Sequence, residues 1–460
     1  MKKFLLFIIA SCQLSTANCQ LTHQWTLDEC MEYAIAHNVE IRHLQHEQQR
    51  RQINVQSSKD ARLPRFNGEV GGHVGTLHHS GDSYRFDANE SLLNMGLMGA
   101  VPLYTGSRLS SQIKVNKYSL MAVSEDVRSA EKDIKIQVAA AYLQLLYNKG
   151  EVSIARQRQE VSQLLLKQAN SLFDRGQRPQ SDVVEAKAMV SRDEALLTAA
   201  ESEVAMAKLD LMSLLNLPDS VDFDICELST LDPQLSTANS QLSTLNHQLS
   251  TATFHPAVQS ANYSILQAEQ GVKMARSGYF PTLSLLGGLG TFWLNLDTKT
   301  SYSGERPITF RGTPKDLNYT FSYDKDWRRK NFLYSFVGLK LSIPVFNAFE
   351  TRAQIRTAKV NLEDAKLAYE DAQQQVRKEI RQAWQGAVTA QKRYEAEAKS
   401  EESNELSYRY ALKRYDAGMA TLFDLSQSRQ QWFSASENAL RQKYEYIIRQ
   451  KILEILTEQP

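Results

Sequence analysis

Four segments of the chain alternate between apolar or small residues and polar residues with a period of two. The first runs from Phe66 to Thr76 and the second covers about 91–103. The other two cover about 282–295 and 331–346. Such alternation is typical of strands with one apolar and one polar face, and each segment is about as long as a tilted strand that crosses a bilayer. The pattern therefore predicts four transmembrane β-strands.

After each pair of strands, apolar residues recur in steps of three and four. In the second half of the chain this seam consists of Ile355, Ala358, Leu362, Ala365, Tyr369, Ala372 and Val376. The same seam occurs 242 residues earlier, with one polar member, as Ile113, Asn116, Leu120, Val123, Val127, Ala130 and Ile134. This stripe predicts coiled-coil packing. Because no proline lies between residues 106 and 174, the first helix is predicted to reach about 100 Å at 1.5 Å per residue.

The elements occur twice because the chain is internally duplicated. Three residues recur at a spacing of 242: Pro102, Gly176 and Pro218 match Pro344, Gly418 and Pro460. Upstream, a spacing of 217 pairs Asn38 and Pro64 with His255 and Pro281. The difference indicates one insertion, in a predicted loop near 297–330 that is longer than its counterpart near 79–90. We predict two copies, 38–218 and 255–460, each built of a helix, two strands, a long helix, a turn and a return helix.

Each long helix is predicted to end at a glycine. Gly176 and Gly418 suit the left-handed conformation that follows a helix C-terminus. Pro179 and Thr421 then suit the start of the two return helices. Near the N-terminus, Thr26 and Glu29 form a capping-box pattern that opens a mostly helical segment over 26–62.

Four strands are too few to close a barrel, for which about eight is the working minimum. Open strand edges in lipid leave backbone groups without hydrogen bonds, so several copies of the chain must share one barrel. Two chains supply eight strands and three supply twelve. The predicted fold is therefore an internally duplicated α+β membrane protein, with four transmembrane β-strands per chain and long coiled-coil helices.

The charge balance and the N-terminus restrict the class of protein. The 460 residues carry a formal net charge of +1, so we expect no nucleic acid partner. Residues 1–19 have the basic and apolar regions of a secretory signal, with cleavage after Ala17 or Cys19. The residues before Cys12 also resemble a lipobox, which would make Cys12 a lipidated N-terminus. Secretion permits a disulfide between Cys30 and Cys226, although two separate thiols are the simpler expectation.

These patterns divide the chain into consecutive segments. They are a signal peptide (1–19), N-terminal helices (20–62), a first β-hairpin (63–103), a first long helical hairpin (104–218), a connector (219–254), a helix of the second copy (255–280), a second β-hairpin (281–346) and a second long helical hairpin (347–460). The connector contains a seven-residue repeat from Gln234 to Thr253. The repeat lacks a large apolar face, so we expect a surface insertion.

Catalytic and metal-binding patterns are missing from the sequence. The glycine-rich stretches 71–75 and 287–290 lie within strand patterns, where they do not form a phosphate-binding loop. His43 and His46 have no third ligand at the spacing of a metal site. We expect neither an enzyme nor a cofactor. The alternative from another class is a structural coiled-coil envelope protein without transport activity, against which the duplicated apolar strands argue.

Together these features resemble the TolC-like outer-membrane efflux family over nearly the whole mature chain. The most specific carrier is Tyr415-Asp416-Ala417-Gly418 with Thr421 and Asp424. The other carriers are Trp25-Thr26-Leu27 with Asn38, Leu63-Pro64, Phe280-Pro281, Pro102 and Pro344.

The resemblance implies a homotrimer, with a twelve-stranded β-barrel in outer-membrane lipid and an α-barrel of helices in the periplasm. The first helix, the connector and the C-terminus would form an equatorial belt. The implied function is a passive exit duct of a tripartite efflux or type I secretion system. A periplasmic membrane-fusion adaptor and an inner-membrane pump of RND or ABC type would deliver the substrate. Drug, metal-ion and protein cargo are all compatible with this prediction.

The resemblance also implies roles at the helical turns. Asp182 and Tyr415 match a pair that joins neighbouring helices and keeps the tunnel shut. Asp424 matches a carboxylate that threefold symmetry repeats as a ring around the pore. For both carboxylates the alternative is a favourable charge at a helix start. The turn residues implied to contact the adaptor are Gly176, Pro179, Gly418 and Thr421.

A second implied link at the turns has lost one partner. Ser181 matches the acceptor of this link, but its arginine aligns with Ala420. Arg175 or Arg178 is the candidate replacement.

Overall fold

The computed structural model describes residues 24–80, 84–218, 223–226, 252–302 and 329–458. The predicted signal peptide with Cys12, and the seven-residue repeats up to residue 251, lie outside the described residues. The described parts of Met1–Gln48, Ala122–Asn262 and Ala368–Pro460 form one compact unit, here the helical unit. Gln49–Met121 and Tyr263–Leu367 form a second, here the sheet unit. No helix in the described ranges is both long and apolar enough to cross a membrane.

A short parallel strand pair lies beside the largest apolar core of the helical unit. β1 (Gln24–Trp25) pairs with β4 (Asp224–Ile225). The buried Tyr142 hydroxyl lies 3.0 Å from the Trp25 carbonyl oxygen and 2.8 Å from that of Cys226, and donates to this pair. Burial raises the pKa of the nearby Cys30 thiol to about 12. No disulfide joins Cys30 to Cys226, the two cysteines in the described part of the chain.

Two helices, α1 (Leu27–His37) and α2 (Val39–Asp60), form the segment that was expected to be mostly helical. α1 begins with the predicted capping box, in which Thr26 and Glu29 exchange hydrogen bonds. Asn38 separates the helices because its backbone is extended, with φ −63° and ψ 134°. Its Oδ1 accepts hydrogen bonds from the backbone N–H groups of the first turn of α2, at 2.8 and 3.3 Å. Asn38 therefore ends one helix and caps the next.

The sheet unit contains one antiparallel sheet of four strands in the order β2–β3–β5–β6. The strands are β2 (Arg65–Ser80), β3 (Tyr84–Tyr104), β5 (Thr282–Tyr302) and β6 (Arg329–Ser342). Backbone pairing carries them into both predicted loops, near 79–90 and 297–330, because ladder hydrogen bonds do not require side-chain alternation. β6 ends at Ser342, before the expected residue 346. β2 and β6 lie at the two edges of the sheet.

The two faces of this sheet differ in chemistry. Residues directly opposite each other share a face. Val70, opposite Met95, and Val337 lie on an apolar face, where they are 68 % and 81 % exposed. The other face is mixed: it carries the polar Asn67 and Asn94, and also Met98 opposite Asn67. Neighbouring exposed apolar side chains of this kind mark a surface for contact with protein or membrane.

Two long helical hairpins follow the strand pairs. The first hairpin is α3 (Arg108–Asp174) with α4 (Gln180–Leu215). After α5 (Pro256–Arg276), the second hairpin is α6 (Glu350–Asp416) with α7 (Leu422–Thr457). Both outgoing helices have 67 residues and both return helices have 36. The predicted seam is confirmed, since all of its members are buried or half-buried.

Candidate functional site

The turns of the two hairpins have the same backbone design. Gly176 and Gly418 adopt left-handed conformations, with φ 69° and 75°. The N–H of each glycine donates to a carbonyl three residues back, and the next N–H donates five residues back. These bonds satisfy carbonyls that the helix ends leave free. The predicted C-terminal glycines are confirmed in both hairpins.

The return helices begin with different caps. Pro179 starts α4 without a side-chain hydrogen bond. Thr421 starts α7 with a capping box in which Asp424 accepts from the Thr421 N–H at 3.0 Å and from its hydroxyl at 2.8 Å. These bonds hold the pKa of the exposed Asp424 carboxyl below its ordinary value. Asp424 therefore acts as a helix-start charge within one chain, while its ring role stays a prediction.

A small apolar core joins the two hairpins beside the turns. This tip core consists of Leu165, Ala169, Ala186, Met189, Tyr408, Tyr415, Ala420, Leu422 and Leu425. Trp432 packs against it and stacks on Tyr408, with ring centroids 5.0 Å apart. The members come from all four long helices and from the second turn, so closing this core brings the two turns together.

Arg178 links the first turn to the second. Its guanidinium donates to the Ala420 carbonyl at 3.0 Å and to the Tyr415 carbonyl at 3.3 Å. It also lies over the Tyr415 ring, 4.8 Å from the centroid. Of the two candidate arginines, Arg178 is therefore the one that contacts the second hairpin, whereas Arg175 is exposed. The acceptors are backbone carbonyls, which the sequence could not indicate.

A second link joins α3 to the end of α6. The side-chain amide of Gln168 donates to Asp416 Oδ1 at 2.6 Å. A single glutamine next to an apolar seam carries no recognisable signal, so sequence reasoning missed this contact.

The expected hydrogen bond between Tyr415 and Asp182 is not made within the chain. The Tyr415 side chain is 1 % exposed, and its hydroxyl has no hydrogen-bond partner among the described residues. Burial, followed by the nearby charge of Asp182, raises the pKa of Tyr415. The two residues are neighbours, but packing of the ring into the tip core under Arg178 leaves the hydroxyl short of the carboxylate.

Ser181 has a local partner. Its hydroxyl donates to Asp182 Oδ1 at 3.4 Å, a long bond on an exposed surface. The implied link from Ser181 to an arginine of the second hairpin is thus not present within one chain, where Arg178 binds carbonyls instead.

Several large apolar side chains near the turns are exposed. Met419 is 75 % exposed and Phe423 65 % exposed, and Phe173 and Val184 are exposed too. Within the described part of the chain, no group of three or more histidine, cysteine or acidic residues is placed to hold a metal ion.

An amphipathic four-stranded sheet with two open edges, joined to two long helical hairpins, defines the class of TolC-like outer-membrane channels. The chain belongs to the outer membrane efflux protein family, whose model matches residues 31–217 and 250–457. Members of this family are channel proteins and not enzymes.

Relatives and a solved structure agree with this assignment. The chain is 22 % identical to the outer membrane efflux protein BepC of Brucella suis, over 61 % of this chain and 54 % of BepC. It is 22 % identical to the alkaline protease secretion protein AprF of Pseudomonas aeruginosa, over 75 % of this chain and 65 % of AprF. It thus spans between half and two thirds of the length of these relatives. The outer-membrane channel OprN has the same fold, with a TM-score of 0.72, 18 % identity and coverage of 94 % and 90 % of the two chains.

Proposed function

We propose that this protein is the outer-membrane channel of a tripartite efflux or type I secretion system. In this proposal three chains form a twelve-stranded barrel in outer-membrane lipid, and their helical hairpins line a tunnel in the periplasm. The channel is a passive exit duct for substrate delivered by an inner-membrane pump and a periplasmic adaptor.

The chemistry of the sheet carries this proposal. One face exposes large apolar side chains such as Val74 and Leu333, which are 82 % and 85 % exposed. An apolar face, opposite a face that carries polar side chains such as Asn67 and Asn94, suits a sheet between lipid and an aqueous lumen. The edge strands β2 and β6 need partners in lipid, and further copies of the same chain can supply them.

The turns suit the closing element of the tunnel. Arg178, Gln168 and the tip core hold the two hairpins of one chain together. Asp182, Ser181 and Tyr415 lie beside Arg178, and Asp424 lies at the start of α7. Opening requires the turns to separate, so the contacts of Arg178, Gln168 and the tip core between the two hairpins favour the closed state.

The exposed apolar surface of the turns suits the adaptor. Met419 and Phe423 project near the start of α7, beside Gly418 and Thr421. Exposed apolar side chains of this size mark protein contact sites. We infer that the adaptor covers this surface in the assembled system.

The channel is tested by purifying the full chain in detergent. Native mass measurement is expected to give a trimer, and planar bilayers with this trimer are expected to conduct ions. A stable monomer that conducts ions contradicts the shared barrel. A trimer without any conductance favours the structural coiled-coil alternative.

Closure at the turns is tested with a matched pair of arginine variants. Arg178→Ala removes two hydrogen bonds and a cation–π contact, so it is expected to raise single-channel conductance. Arg175→Ala removes the same charge from an exposed position and is expected to leave conductance unchanged. Equal conductance in both variants and the wild type contradicts closure by Arg178.

A further inference from the structure

Beyond the turns, a cluster of charged residues is buried between three long helices. The side chains of Arg158 on α3 and Arg429 on α7 are 5 % exposed, and Asp193 on α4 is 1 % exposed. Asp193 Oδ1 accepts from Arg158 Nε at 3.1 Å, and Oδ2 accepts from an Nη of Arg429 at 2.8 Å. One carboxylate therefore holds two arginines, one from each hairpin.

Further contacts of these arginines tie the cluster to α7. Arg158 donates to Glu437 Oε1 at 3.0 Å and to Gln430 Oε1. Arg429 donates to the backbone carbonyl of Arg158 at 3.1 Å. Both guanidinium groups lie 5.6 Å from the centre of the Phe433 ring. The negative charges of Asp193 and Glu437 balance the positive charges of Arg158 and Arg429.

On α4 and α7 the cluster lies next to the tip core. Asp193 follows Met189 by one helical turn, and Arg429 follows Leu425 by one turn. Apolar packing is not directional, so a coiled-coil seam alone tolerates sliding of one helix against another. Charged hydrogen bonds are directional, and a shift of one turn, about 5.4 Å, would leave the buried charges unpaired.

The internal duplication shows that the cluster is specific to one position. In the second copy, Ser400 and Ala435 occupy the places of Arg158 and Asp193. The second copy, at these two described positions, thus lacks the arginine–aspartate pair, and the cluster of the first copy joins α7 to the first hairpin.

We propose that Arg158, Asp193 and Arg429 are positioning residues that hold α7 in register against the first hairpin, so that rearrangement of the turns is confined to the tip core. This inference rests on the proposed closure at the turns. The cluster acts through the first turns of α7, which carry Leu422, Leu425 and the Thr421 cap. It contacts no substrate.

The test compares two ways of removing the cluster in the purified full-length trimer. Asp193→Asn leaves two buried arginines with one carboxylate, and Glu194→Gln on the next, exposed residue is the matched control. The triple variant Arg158→Met, Asp193→Leu, Arg429→Met replaces the cluster with apolar side chains. Such replacements often preserve stability, so this variant reports on register even if Asp193→Asn fails to fold.

Two measurements decide the outcome: amide hydrogen exchange of residues 422–437, and conductance in planar bilayers. We expect the triple variant to keep a melting temperature close to that of wild type, with faster exchange in 422–437 and higher conductance. Wild-type exchange in 422–437 in the triple variant overturns the positioning role. A third result separates the two proposals. If exchange in the triple variant is faster but conductance stays at the wild-type level, in this variant and in Arg178→Ala alike, the positioning of α7 is supported. The same result overturns the proposed closure at the turns.

Discussion

The two helical hairpins have the same element lengths but hold their ends differently. Every helix boundary of the first hairpin recurs 242 residues later in the second. The first turn supplies Arg178, which reaches across to the second turn. The second turn supplies the carbonyls that accept from it, the Thr421 capping box and the buried Leu422 and Leu425.

This difference shows that duplication preserved geometry while the chemistry of the copies diverged. Helix length and turn position depend on backbone signals such as glycine and the absence of proline, and both copies retain them. Contacts between the hairpins depend on unlike partners, such as a guanidinium and a carbonyl. Such contacts need a donor on one hairpin and an acceptor on the other, so the two copies must carry different residues at the turns.

The largest expected effect separates the contributions of the two return helices to the tip core. Leu425 is fully buried, and its counterpart Val183 is half-buried. Leu425→Ala is expected to lower the free energy of unfolding by about 2–5 kcal/mol through a lost side chain and a cavity. Val183→Ala is expected to cost less. Thermal unfolding of the two variant trimers shows which substitution is more destabilising. Equal losses of stability would show that the two return helices contribute equally to the tip core.

The next effect tests the similarity of the turns. Gly176→Ala and Gly418→Ala each place a Cβ on a left-handed residue, which costs about 1–2 kcal/mol. Apart from the adjacent residues, no atom of the described part of the chain lies within 4 Å of either added Cβ, so the cost is conformational in both. The two variants are expected to lower the melting temperature equally. A clear difference between them would show that the turns are not equivalent.

A smaller effect distinguishes the starts of the return helices. Thr421→Val removes the cap of α7 and is expected to lower the free energy of unfolding by about 1 kcal/mol. Pro179→Thr places a threonine three residues before Asp182, as Thr421 precedes Asp424, and so creates the same capping-box pattern. The new cap offsets the lost rigidity of proline, so the net change is expected to be smaller. Equal destabilisation in urea or thermal unfolding would refute the asymmetry.

The smallest effect depends on pH and compares Asn38 with its counterpart His255. His255 Nδ1 accepts from the Ala257 N–H at 3.3 Å and caps α5, as Asn38 caps α2. Burial, followed by the charge of Lys132, lowers the pKa of His255 to about 4 from an ordinary 6.5. As pH falls, His255 of the unfolded chain is therefore protonated at a higher pH than His255 of the folded chain. The stability that neutral His255 contributes is lost as pH falls from 6.5 to about 4.

His255→Asn keeps the acceptor and removes the titration. Its melting temperature is expected to approach or exceed that of wild type as pH falls through this window. An unchanged difference between the two proteins from pH 7 to pH 4 would show that His255 does not titrate as its burial implies.

Much of the fold was visible in the sequence. The alternation in four segments predicts the strands, and the seam that includes Ile134 and Val376 predicts the coiled-coil helices. Gly176 and Gly418 predict the helix ends, and the Thr26–Glu29 pattern predicts a capping box. All of these signals are local, because a period, a cap or a turn depends on residues within about two helical turns of each other.

The sequence was less informative about strand length and about contacts at the turns. β5 continues to Tyr302 because β3 pairs with it along its length, a partner that side-chain alternation does not reveal. The bond from Tyr415 to Asp182 was expected, but the ring packs under Arg178, and among the described residues its hydroxyl has no hydrogen-bond partner. The ring position of Asp424 is still a prediction.

The sequence by itself determined the duplicated order of elements, the helix lengths and the apolar face of each strand, because these follow from periodicity and from residues that end helices. Only the tertiary structure decided which polar groups meet. Arg178 with the Ala420 carbonyl, and Asp193 between Arg158 and Arg429, are separated by 35 to 242 residues in the chain. Their pairing depends on how four long helices pack side by side, which no local pattern records.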